Sequence, residues 1–446
     1  KGLIRTQTGA PPLKHNNIED PSMNQAITPP DGLPDPLSTP LDQLDIADPR
    51  RFEHDTWQPL FERLRAESPV HYQNWGPGGQ GADGDFWSIS RFQDIVEIEK
   101  DWQTFSSSPS IAILDPEPDM IVQMFIASDP PLHDDQRRAV QASVAPRNLT
   151  EFEALIRSRT AETLDALPDG ETFNWVEKVS IDLTTKMLAT LFDFPYELRH
   201  KLTEWSDAIT SDDRITNGEG LTIDERRVIL MEMLQVFTDV WHRHKDDGVE
   251  SFDLIRLLQK DPKTANLVDD PLAFMGNLML LIVGGNDTTR NSMTGGVYFL
   301  NQNPAEYDKL RANHQLIPSM VSEIIRYQTP LPHMRRTTTR DVEFGGHHIP
   351  KNSRVVLWYV SANRDDQVIE RADEFIIDRV NPRNHLSFGC GIHRCMGNRL
   401  AEMQLRVMWE EALKRFSHIE VMAEPKRTCN SFVRGYLDLP VRVHRH

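Results

Sequence analysis

Cysteine is scarce: 446 residues contain only Cys390, Cys395 and Cys429. Three cannot staple a disulfide framework for a chain this long, and reduced cysteines point to a cytoplasmic protein and to metal or catalytic use. Basic residues are also short, 49 Lys and Arg against 67 Asp and Glu, for a formal net charge of −18. That balance argues against nucleic acid as the main partner, because phosphate binding draws on clustered cations. Long apolar runs are missing as well. The strongest, Phe274 to Val283, is too short to span a bilayer, and the N-terminal stretch KGLIRTQTGAPPLKHNN has no apolar core of signal-peptide length. Neither secretion nor a membrane anchor is expected. The glycine-rich stretch Gly76 to Asp85 lacks the terminal Gly-Lys-Ser/Thr of a phosphate-binding loop and reads as a flexible hairpin connection.

What is present suits a globular protein with a large core: 39% hydrophobic and 26% charged residues. Residues 1–50, rich in Pro and Asp, read as an extended arm over the surface. No repeat or low-complexity linker divides the remainder, so residues 51–446 are expected to form one domain. Helical spacing dominates from Glu151 to about Leu300. Two β-like runs, VHYQNW and FWSISR, and a small sheet around Gly345-Gly346 complete a mainly α fold with a minor β region.

Two of the three cysteines fall in His385 to Asn398, HLSFGCGIHRCMGN. Cys390, His393, Cys395 and distant Cys429 admit a zinc reading, although the set contains no Cys-x-x-Cys. A second reading uses one thiolate beneath a flat cofactor. Phe388-x-x-Gly391-x-x-x-Cys395-x-Gly397 precedes an amphipathic helix carrying Leu405, Met408, Trp409, Ala412, Leu413 and Phe416. A sulfur just ahead of a helix can accept backbone N–H bonds at the positive end of the dipole, which makes Cys395 the ligand.

This spacing resembles the haem-binding loop of the cytochrome P450 monooxygenases, and the chain carries further segments similar to that family, from about residue 50 to the C-terminus. Glu323-x-x-Arg326, followed by Arg379, reads alone as a surface pair; the resemblance implies a buried structural Glu-Arg-Arg network. Gly284-Gly285 in LLIVGGNDTTRNS reads as tight helix packing or as a groove for a small ligand, since each glycine costs a helix about 1 kcal/mol. The resemblance favours the groove, with Thr288 hydrogen-bonding dioxygen and Asp287 relaying protons. It also implies heme b as cofactor, held by Cys395 and the loop residues Phe388, His393 and Gly397. Its propionates would be met by His133, Arg137, Arg336 and His385.

The implied chemistry is insertion of one oxygen atom of O2 into a C–H bond of a small apolar substrate. Within the family the motifs look most like the bacterial alkane and fatty-acid terminal hydroxylases. Candidate substrate contacts are Ile113, Leu114, Leu280, Gly284, Leu331, Met334, Phe432 and Val433, which individually read as core and together suit an alkyl chain. Alternatives are a terpenoid or other apolar substrate, a peroxide-driven enzyme, or a non-enzymatic haem sensor. Electrons are expected from a ferredoxin and its NAD(P)H-dependent reductase, because no iron–sulfur cysteine set is present. Five arginines from Arg379 to Arg406, against the single acid Glu402, offer a cationic docking face. The segment Ser206 to Phe252, with its SDDRITNGEG loop, would suit a lid.

Overall fold

The computed structural model describes residues 32–74, 84–116, 121–244, 251 and 253–446. Most of the expected arm and most of the Gly76 to Asp85 connection lie outside those residues.

The longest element is the helix Pro271–Gln302. The Asp270 carboxylate caps it by accepting the Ala273 N–H at 3.1 Å, and Pro271 sits in the first turn, where a missing N–H costs nothing. Its residues are buried on nearly every side, as in a helix through the middle of a protein. Phe274, Leu278 and Ile282 pack against the helices Asp182–Leu191, Lys201–Thr210 and Ile223–His244. Met293, Val297 and Leu300 join a second cluster with the helices Ile317–Gln328 and Asn398–Arg415. One helix therefore ties two hydrophobic clusters together.

Strands are the minor part, as expected. Val70–Gln73, Phe86–Ile89, Arg354–Leu357, Met334–Thr338 and Phe105–Ser106 form one sheet in that order. Trp87 to Ile89 run parallel to Val355 to Leu357, and the other pairings are antiparallel. The hairpin from Val342–Phe344 to His347–Ile349 turns at Gly345-Gly346, whose φ values of +58° and +81° demand glycine in such a turn.

Two expectations change. The described end of the arm is a packed element: Arg63 donates to the carbonyls of Pro36 at 2.5 Å and Thr39 at 2.8 Å, and Leu44 and Ile46 are buried in one cluster with Trp358. Leu41–Gln43 form a 3-10 turn and Pro49 opens the helix Pro49–Glu53, so proline richness did not keep this segment from packing. The helix Asn398–Arg415 buries Leu405, Met408, Trp409, Ala412 and Leu413, whereas Phe416 opens the strand Phe416–Val421.

Glu323, Arg326 and Arg379 form a buried ion cluster. Arg326 donates to both Glu323 oxygens at 2.8 Å, Arg379 Nε reaches the same two at 3.0 Å, and the Ile376 N–H adds a bond at 2.8 Å. The remaining guanidinium donors reach the carbonyls of Asn363, Glu370, Arg371, Ala372 and Glu374. A fully paired cluster is the only form in which such charges persist in an interior, and here it pins the segment 363–379 to the helix Ile317–Gln328.

Candidate functional site

The loop from His385 to Gly397 is built by backbone geometry. The Leu386 N–H donates to Asn363 Oδ1 at 2.7 Å, Ser387 Oγ donates to the Ile325 carbonyl at 2.8 Å, and the Cys395 N–H donates to the Phe388 carbonyl at 2.9 Å. Gly391 has φ +64°, and a Cβ there would lie 2.3 Å from the Glu99 carbonyl oxygen. No other residue fits that place.

Above the loop opens a cavity of about 410 Å³. Cys395 lines it and is exposed only in that sense, for the surrounding protein pushes its thiol pKa up. The N–H groups of Gly397 and Asn398 at the helix start, with Arg137 and Arg394, oppose that rise. Burial first, then carboxylates, hold the other two cysteines protonated: Cys390 is pushed to about 12 beside Glu99 and Cys429 to about 12 beside Glu53. Among the described residues no cluster of three His, Cys, Asp or Glu could hold a metal, which removes the zinc reading.

Phe388, His393, Gly397, Arg137 and Arg336 line the same cavity. His393 has no partner on either ring nitrogen, and burial, followed by Arg336, pushes it down to about 2. Its ring lies 4.4 Å from that of His133, whose Nε2 is also buried without a partner. Unpaired donors and two arginines beside a thiolate position fit a flat iron cofactor with anionic edges. His133 stands behind His393 rather than on the wall. His385 does not line this cavity: its Nδ1 accepts the Ser387 N–H at 3.3 Å, and it borders a separate small recess with Arg383, Arg394 and Glu402.

The helix Pro271–Gln302 crosses the cavity roof and settles its two glycines. Both glycines line the cavity; a Cβ at Gly284 would meet nothing within 4 Å, so this residue opens the groove, whereas one at Gly285 would lie 2.6 Å from Leu188 Cδ2, so that glycine also serves close packing. Thr288 lines the cavity and donates to the Gly284 carbonyl at 2.9 Å. Asp287, the next residue back, does not line it. Its fully buried carboxylate lies 2.9 Å from Arg290, which also pairs with Asp207 on the helix Lys201–Thr210. Burial raises Asp287 to about 6 against the pull of Arg290.

Of the candidate substrate contacts, Leu114, Leu280, Leu331, Met334 and Phe432 line the cavity. Ile113 and Val433 do not: both are buried in the protein interior one residue away from the side chains that reach the wall. Sequence reasoning missed Ile111, Phe125, Tyr359 and the buried acid Glu99, none of which stands in a motif. The expected lid segment supplies Ile209, Asp212, Ile215 and Ile223 to one side of the cavity. Its loop is tied down, with the Leu221 N–H on the Ser211 carbonyl at 2.6 Å and Arg226 on Asp212 at 2.7 Å.

The cytochrome P450 family profile matches residues 229–438. Linalool 8-monooxygenase of Pseudomonas putida is 31% identical over 413 residues, covering 90% of this chain and 99% of that protein. The methyl-branched lipid omega-hydroxylase of Mycobacterium tuberculosis is 28% identical over 434 residues, with 90% and 96% covered. The solved structure of cytochrome P450-153 from Novosphingobium aromaticivorans is 42% identical, superposes with a TM-score of 0.82, and covers 90% of this chain and 99% of that one. The chain is a haem-thiolate oxidoreductase and belongs to the cytochrome P450 family; it is a monooxygenase whose cofactor is heme b with a cysteine thiolate on the iron. No helix of the described residues is long and apolar enough to cross a membrane.

Proposed function

We propose that this monooxygenase hydroxylates a medium-chain apolar substrate, an n-alkane or a fatty acid, at or near the chain end. The observation that carries this reading is the wall of the cavity, where Leu114, Leu280, Leu331, Met334 and Phe432 converge on the space between Cys395 and Thr288. Such a wall offers an alkyl chain burial at about 25 cal/mol per Å² and offers a polar substrate few partners. The lipid omega-hydroxylase named above supports a chain-end reaction. A terpenoid substrate is the second reading, favoured by the similarity to linalool 8-monooxygenase.

Cys395 supplies the thiolate; Arg137, Arg336 and His393, steadied by His133, meet the propionates. When bound, the haem supplies the redox chemistry that places one atom of O2 into a C–H bond. The chain orients the substrate, excludes water and moves protons. Asp207 faces solvent and Arg290 links it to Asp287, so a proton taken up at Asp287 arrives on the far side of the helix from the cavity. Release of Asp287 from Arg290 carries it across to the Thr288 hydroxyl. This relay favours turnover over gas sensing and over a peroxide-driven reaction.

Electrons come from a ferredoxin and its reductase, in the cytoplasm, docking on the arginines outside the cysteine loop. The test is turnover of the holoenzyme with ferredoxin, reductase, NAD(P)H and O2, offered n-alkanes, straight-chain fatty acids and linalool separately. Primary alcohols or ω-hydroxy acids support the proposal. Oxidation of linalool alone moves the assignment to terpenoids, and NAD(P)H-independent spectra with no product from any substrate overturn the enzymatic reading.

A further inference from the structure

Glu99 breaks a local rule. It is the penultimate residue of the helix Phe92–Lys100, where the helix dipole disfavours an acid, and it is buried. It also lines the cavity. Three chain segments converge on its carboxylate. Oε1 accepts from Arg336 Nη2 at 3.1 Å and from the Tyr359 hydroxyl, while Oε2 accepts from the Cys390 N–H at 2.6 Å. The cysteine loop lies directly on this residue, since a Cβ at Gly391 would press on the Glu99 carbonyl oxygen.

The pairing changes what Arg336 brings to the cavity. Arg336 has its other bond on the Arg335 carbonyl, so its charge is already balanced by a fixed acid before any ligand arrives. A buried acid kept in an unfavourable place by three donors is a feature whose justification lies outside local stability.

We propose that Glu99 is a positioning residue for the haem: it fixes Arg336 and the Cys390 amide against each other, and its negative charge holds the iron toward the ferric state. The electrostatic argument is direct. Reduction adds one electron to the site, and a fixed anion in a low-dielectric interior opposes that gain. The proposal rests on the reading that Cys395 and Arg336 hold the haem.

The test uses the substrate-free holoenzyme in spectroelectrochemical titration. Glu99→Gln keeps an acceptor of the same size and removes the charge, so the reduction potential is expected to rise, and haem transfer to apomyoglobin is expected to quicken several-fold. Tyr359→Phe removes one donor and leaves the charge less compensated, so its potential is expected to fall. A Glu99→Gln potential equal to that of the wild type, or both variants shifting in the same direction, overturns the proposal. Should Glu99→Gln fail to fold, Tyr359→Phe decides alone, an unchanged or raised potential counting against it. The carbon monoxide spectrum of the reduced wild type keeps the two questions apart: a thiolate-type band with no potential shifts sinks the role of Glu99 alone, and its absence sinks the ligand reading.

Discussion

Asp287 and Arg290 form an ion pair at 2.9 Å within one turn of the roof helix, on the side turned away from the cavity, and the same guanidinium holds Asp207 on a neighbouring helix. Burial raises the Asp287 carboxyl while Arg290 lowers it, and Arg290 links this buried acid to the exposed Asp207.

A pH dependence follows. Burial lifts Asp287 from 3.8 to about 6 in the fold. The folded protein therefore holds a proton there that the unfolded chain has released, so this group's contribution to stability falls as pH rises from about 4 to about 6 and is flat beyond. Product formation that draws on this proton should decline as pH rises through 6. Arg290→Leu removes the group that lowers the pKa, and the declining limb is expected to move to higher pH. Asp287→Asn should abolish the limb and slow coupled turnover by about 10²-fold or more, with hydrogen peroxide taking a larger share of the NAD(P)H consumed. Steady-state rates with peroxide assayed in parallel check both.

The two loop cysteines should separate cleanly. Cys395→Ser is expected to abolish the thiolate-type Soret band of the reduced carbon monoxide complex. Cys390→Ser should keep it, because burial and the neighbouring Glu99 carboxylate hold the Cys390 thiol protonated, and the backbone N–H bond to Glu99 survives the substitution. A band surviving Cys395→Ser would assign the ligand elsewhere.

Much of this was legible because backbone demands leave strict spacing. Gly391 must be glycine for both its φ and its clearance from Glu99, and so the loop could be recognised from its residues. Helical periodicity likewise announced the helix through the core. The errors share one physical cause. Neighbouring residues point in different directions, and spacing alone did not say which of Ile113 and Leu114, or Phe432 and Val433, would reach the cavity. The same offset separates Thr288, on the wall, from Asp287, behind it. Glu99 was beyond reach for another reason: its partners Arg336 and Cys390 lie 237 and 291 residues away, and nothing near it in sequence marks it.

The adjacent glycines of the roof helix should respond in opposite ways. Gly284→Ala meets open space and gains about 1 kcal/mol of helix propensity, so stability should hold or rise while substrate affinity changes. Gly285→Ala drives a methyl against Leu188, and overpacking of about 1–3 kcal/mol should exceed that gain. Thermal denaturation of the holoproteins, with substrate-induced spectral titration for Gly284→Ala, checks the contrast. In the double variant Gly285→Ala/Leu188→Ala the losses should sum to less than the two singles, because the clash is relieved.

The basic island on the outer face of the cysteine loop makes the last expectation. Arg383 is compensated by Glu402 at 2.9 Å, whereas Arg394 and Arg399 are exposed and extend the positive surface of a chain that carries a net charge of −18. On the proposed docking, an acidic electron donor would be repelled by most of the molecule and attracted here, and the island would steer encounter as well as hold the complex. Arg394→Glu and Arg399→Glu are each expected to slow ferredoxin-driven reduction roughly tenfold or more at low ionic strength. The deficit should shrink as salt rises, since the screening length falls to about 10 Å at 0.1 M. Reduction by dithionite, which needs no protein docking, should be unaffected. A loss that is the same at all salt concentrations, or shared with dithionite, would place the effect on the cofactor and leave the docking face unassigned.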